Sequence, residues 1–113
     1  MYVLLKSSSI LVIFNHKLFS MFKVNEYFDG KVKSIAFQTE EGPATIGVMA
    51  PGEYVFGTSS IEYMTITSGL MSVLLPEDDD WKNFREFETF KVGKDQEFKV
   101  KISEDTSYRC LYK

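Results

Sequence analysis

A chain of 113 residues leaves room for one domain and no second core. Its formal charge of -3, with Arg85 and Arg109 as its only arginines, argues against a protein that binds a nucleic-acid backbone, which demands a basic face. At 44% hydrophobic, with ten Phe and six Tyr, it carries enough bulk to fill a barrel or sandwich.

Residues 1–20 differ in character from the rest of the chain. Their apolar run, residues 10–14, is too short to span a bilayer. No basic start, long apolar stretch and small-x-small site combine as an export signal requires. This segment reads as an extension, poorly ordered or translated from an upstream start, and residues 21–113 as the domain. His16, the single histidine, falls in the extension. The domain therefore has neither a histidine pair for a metal nor a histidine general base. Cys110 is alone, which excludes an internal disulfide and a cysteine metal centre. It reads as a small buried hydrophobe and fits a reducing, cytoplasmic setting.

From Asn25 onward the chain reads as short strands between turn pairs. Asp29-Gly30 joins residues 26–28 to 31–37 as a hairpin. Glu41-Gly42-Pro43 breaks the chain before 44–49, and Pro51-Gly52 leads into 53–58. Residues 61–67 and 70–75 flank Ser68-Gly69, and the acidic stretch 76–80 forms a solvated loop. Residues 87–92, 97–102 and 106–112 complete the set. Phe98, Val100 and Ile102 alternate with Lys99 and Lys101, and Tyr54, Phe56 and Thr58 share a face. No helical period is sustained. Eight or more short strands at this spacing predict an all-β jelly roll or barrel.

One motif refines that expectation. Cupin barrels carry two histidines and a glutamate in a first motif, and a third histidine in a second. Glu62, six residues and Gly69 match the end of the first motif. Counting back places its histidines at Phe56 and Thr58, and the second motif's histidine falls on Phe98. The expected fold is a cupin-type double-stranded β-helix (jelly-roll) barrel. Its remaining donor, Glu62, cannot by itself hold a transition metal, so no metal is expected.

The segment Asn25-Glu26-Tyr27-Phe28-x-Gly30-Lys31-Val32-Lys33-Ser34-Ile35 resembles the opening of the small bacterial pyrimidine/purine nucleoside phosphorylases. The likeness runs on through Gly47-Val48-Met49, Gly52-Glu53-Tyr54-x-Phe56 and Glu62-x-Met64-Thr65-x-x-x-Gly69. It continues in Val73-Leu74-Leu75-Pro76, Asp80-Trp81 and Thr106-Ser107-Tyr108-x-Cys110-x-Tyr112. Two departures stand out: Val92-Gly93 followed by Lys94 where Val-Pro is usual, and Phe87 where a glycine is expected.

The resemblance implies a metal-free homodimeric enzyme that splits purine and pyrimidine nucleosides with inorganic phosphate. The products would be the free base and a pentose 1-phosphate, with no cofactor, nucleic acid or membrane involved. A non-catalytic cupin that binds a sugar-like or nucleoside ligand is the alternative. On the first reading, Glu62 points into the barrel and accepts from ribose hydroxyls, with Tyr54 on the inward face as a second catalytic candidate. Lys31, Lys33 and Arg109 are the phosphate candidates. Tyr27, Tyr63 and Trp81 are candidates to stack on the base. Each of these side chains fits a plain structural role as well.

Overall fold

In the computed structural model, which describes residues 21–113, ten strands and no helix build the domain. Strands β1 (Val24–Tyr27), β2 (Val32–Thr39), β3 (Gly42–Met49), β4 (Gly52–Gly57) and β5 (Glu62–Ser68) come first. They are succeeded by β6 (Leu70–Leu74), β7 (Lys82–Arg85), β8 (Thr89–Val92), β9 (Glu97–Ile102) and β10 (Thr106–Tyr112). A six-stranded sheet in the order β1-β2-β3-β10-β5-β8 faces a four-stranded sheet in the order β4-β9-β6-β7. All pairings are antiparallel. This is the all-β double-sheet barrel expected from strand number and spacing.

Alternation decides what faces inward. In β9, Phe98, Val100 and Ile102 are buried while the residues between them are exposed. In β10, Thr106, Tyr108 and Cys110 face in, so Arg109 faces out. A line of rings runs through the interior, with centroids 4.8 Å apart for Phe84 and Phe90, 5.9 Å for Phe90 and Phe98, and 5.6 Å for Phe98 and Phe56. Tilted and edge-on contacts of this kind fill the space between the sheets.

The structure departs from the sequence expectation in three places. Pro43 lies inside β3 opposite Gln38 rather than breaking the chain, and Gly42 takes φ +126 to start the strand. Strand β7 was not expected, because its four residues offer a single inward apolar side chain, Phe84. The segment read as a strand from Phe87 begins at Thr89, because Phe87 occupies a left-handed turn at φ +69. The expectations for residues 1–20, that they form an extension outside the domain, lie outside the described residues.

Candidate active site

The two sheets part at one end of the barrel around a cavity of about 430 Å³. Most of the lining comes from inward-facing strand positions, with the exposed Val55 and Gly57 of β4 at its rim. Strand β5 supplies Glu62 and Met64, and β10 supplies Tyr108 and Tyr112. Ser34 comes from β2, Phe56 from β4 and Phe98 from β9. Tyr27 and Phe28 stand at the mouth, both more than two-fifths exposed.

The mouth is held by an unusual turn. Phe28, Asp29 and Gly30 take φ of 54°, 57° and 85° in succession. The N–H of Gly30 donates to the Tyr27 carbonyl at 3.2 Å, and that of Lys31 to the Phe28 carbonyl at 3.2 Å. A left-handed phenylalanine costs about 1–2 kcal/mol. Ring contacts offset it: Phe28 lies 5.0 Å from Tyr54 and 5.6 Å, edge-on, from Phe56. Phe28 was not among the site residues expected from sequence, since the Asp29-Gly30 signal masks a turn that starts one residue earlier.

Glu62 sits among weak partners. The Cys110 thiol donates to Glu62 Oε1 at 3.5 Å, and Tyr112 stands opposite Glu62 in the strand register. Burial raises the Glu62 carboxyl from its ordinary value, and the Cys110 contact offsets only part of the rise. The Cys110 thiol is also pushed up, first by burial and then by Glu62, so it stays protonated. Burial pushes the Tyr108 phenol up to about 12. Tyr112 is raised too, mainly by burial, while its hydroxyl shares a 2.9 Å hydrogen bond with Thr45 Oγ1. The phenols thus remain neutral hydrogen-bonding groups. Gly47 makes room for one of them, since a Cβ there would stand 2.5 Å from Tyr108 Oη.

Of the residues proposed from sequence, Glu62 and Tyr27 meet in this cavity. Tyr54 is buried beside it, and its hydroxyl donates to the Ala50 carbonyl at 2.6 Å. Tyr63 and Arg109 meet instead in a groove on the outer face of the six-stranded sheet, with Thr65 and Thr89. Lys33 lies on that outer face too and pairs with Glu26 at 3.4 Å, while Lys31 is exposed in the β1–β2 connection. Trp81 lies under Lys101, whose Nζ is 4.1 Å from the ring centroid, on the outer side of the other sheet. No Lys or Arg is among the described residues that line the cavity. Sequence reasoning missed Ser34, Tyr108 and Tyr112, although the alternation of Tyr108, Cys110 and Tyr112 marks one inward face.

The cupin ligand positions do not form a metal centre. Phe56 and Phe98 turn their rings into the cavity, 5.6 Å apart. Thr58 Oγ1 donates to the Gly93 carbonyl at 2.6 Å and accepts from the Gln96 N–H at 3.0 Å, tying down the turn between β8 and β9. No group of three His, Cys, Asp or Glu that could hold a metal occurs among the described residues. Two rings and a carboxyl do not fit a transition metal.

A sequence profile of the pyrimidine/purine nucleoside phosphorylases matches residues 22–112. The chain belongs to that family. A pyrimidine/purine nucleoside phosphorylase of Alcanivorax borkumensis is 64% identical over 92 residues, covering 81% of this chain and 98% of its own. One of Pseudomonas putida is 56% identical over 93 residues, covering 82% and 99%. Among solved structures, a Vibrio parahaemolyticus protein of unknown function superposes with a TM-score of 0.77 at 36% identity, covering 80% of this chain and 97% of its own. The Drosophila melanogaster CENP-C cupin domain, 10% identical, superposes with a TM-score of 0.62 over 82% of this chain and 76% of its own. The fold is a cupin barrel, as the spacing of Glu62 and Gly69 predicts.

Proposed function

We propose that the chain is a nucleoside phosphorylase that splits both purine and pyrimidine nucleosides. An oxygen of inorganic phosphate bonds to C1′ of the sugar as the N-glycosidic bond breaks, which makes the enzyme a pentosyltransferase. The observation that carries the reading is the family match across residues 22–112, laid over a cavity that holds Glu62, Ser34 and three tyrosines.

The cavity chemistry supports it. Rings at Tyr27, Phe28 and Phe56 offer flat faces, and stacking is indifferent to which base edge is presented. That tolerance suits a site open to both base classes. Ser34, Tyr108 and Tyr112 offer hydroxyls that donate to phosphate oxygens or exchange hydrogen bonds with ribose. Glu62 places one carboxyl at the reacting centre. Phosphate is the second substrate and no cofactor takes part. The working form is a cytoplasmic homodimer. Among the described residues, no helix is long and apolar enough to cross a membrane.

The test is base release from uridine and inosine, with and without phosphate, after chelator treatment. Phosphate-dependent release that survives chelation is the expected result. No release from any of several nucleosides rejects the phosphorylase reading and leaves a binding module.

A further inference from the structure

Breaking an N-glycosidic bond leaves an electron pair on the base, and an anionic uracil or hypoxanthine departs poorly unless a proton reaches it. The cavity offers few proton donors. Burial holds the phenols of Tyr108 and Tyr112 above their ordinary range, and the sequence's one histidine, His16, lies outside the described residues. Glu62 remains.

The neighbours of Glu62 favour a neutral carboxyl. Strand β10 faces it with Tyr108, Cys110 and Tyr112, none of them a cation. Strand β8 sets Val92 opposite it, while β4 and β9 turn Phe56 and Phe98 into the same cavity. Ser34 comes from β2 and Tyr27 from β1. Arg109, the arginine on the neighbouring strand, faces the outer side of β10. Among the described residues, the one hydrogen bond to the Glu62 carboxyl, from a thiol 3.5 Å away, is a weak one. An acid in such a pocket keeps its proton to a higher pH than one in water, the arrangement by which glycoside-cleaving sites hold a general acid.

We infer that Glu62 is the general acid of the reaction, a role that rests on the phosphorylase reading. The C1′–N bond breaks with its electron pair passing to the base. The Glu62 O–H proton goes to a ring nitrogen or carbonyl oxygen of that base, while an oxygen of hydrogen phosphate bonds to C1′. Glu62 is left as a carboxylate. The proton still carried by the new phosphate ester then restores it, so one turnover neither consumes nor releases a proton. This assigns Glu62 a protonation state opposite to that of a carboxylate accepting from ribose.

Glu62→Gln, with uridine and inosine set against 7-methylguanosine, decides the matter. The methylated base already carries positive charge and leaves neutral without a proton. Expected is a loss in kcat/KM of at least about 100-fold with uridine and inosine, the usual reach of general acid catalysis, and less than about five-fold with 7-methylguanosine. Equal losses on all three, or no loss on any, overturn the role. The unmodified enzyme supplies a second readout that does not depend on the variant folding. Its kcat with inosine should fall as pH rises through the Glu62 titration, whereas kcat with 7-methylguanosine should stay flat; parallel profiles overturn the role. An unmodified enzyme that releases no base from any nucleoside rejects the phosphorylase reading itself. Normal turnover with uniform losses in the variant rejects only the acid.

Discussion

Glu62 also carries a consequence for stability. Its carboxyl is raised by burial, so the folded protein binds that proton more tightly than the unfolded chain does. For such a group the favourable contribution is complete below the unfolded value, near pH 4, and is lost as pH rises through the folded value. Glu62→Gln removes the titration. Thermal melting should therefore show the variant and the parent close together near pH 4, and the variant higher at pH 8. The gain should be roughly a few degrees at most, because solvent at the cavity screens the charge. A variant less stable than the parent at pH 8, with the gap closing at low pH, would show that the carboxylate is stabilised in the fold.

Two turns show how one backbone conformation serves different ends. Phe28 and Phe87 are both left-handed, at φ 54° and 69°. Phe87 lies between β7 and β8, where the Glu88 N–H donates to the Arg85 carbonyl at 3.0 Å and the Phe87 N–H to the Ile66 carbonyl at 2.6 Å. Its side chain is 75% exposed, so the strain has no ring contact to offset it. Phe87→Gly should raise the unfolding free energy by about 0.5–1 kcal/mol and leave turnover unchanged. Phe28→Gly relieves the same strain but deletes the contacts with Tyr54 and Phe56, so it should lower stability and raise KM. Denaturant titration and steady-state kinetics on the pair check both signs. A stabilised Phe28→Gly with unaltered KM would remove Phe28 from the mouth's working parts. The departure from the family pattern at position 87 is thus a local strain outside the cavity lining.

The outer face of the six-stranded sheet bears on the proposed homodimer. Strand register lines up Val24, Ile35 and Ile46 in one row across β1, β2 and β3, with Val48 beside them, and each is about half exposed. Contiguous apolar patches larger than a few hundred Å² are uncommon on a lone monomer. Among the described residues this row ends at the edge strand β1, which also carries Tyr27 to the cavity mouth. Ile46→Lys with Val48→Lys should convert a concentration-dependent dimer to monomer in sedimentation experiments. A parent protein that stays monomeric throughout the micromolar range rejects the homodimer.

The double-sheet barrel was legible from particular residues: Asp29-Gly30, Pro51-Gly52 and Ser68-Gly69 as turns, and Phe98-Lys99-Val100-Lys101-Ile102 as a half-buried strand. Alternation carries further still. Glu62 and Tyr63 are consecutive on β5, as Arg109 and Cys110 are on β10, so an inward Glu62 and an inward Cys110 already turn Tyr63 and Arg109 outward. Sequence by itself determined the strand count to within one, the loss of metal donors at Phe56, Thr58 and Phe98, and the family. Only the tertiary structure decided which inward side chains share a cavity. Phe56 and Glu62 belong to different sheets, and period-two patterning within a strand carries no information about how two sheets stack. That stacking gathers Tyr27, Ser34, Tyr108 and Tyr112 around Glu62 and leaves every lysine and arginine of the described chain outside the lining.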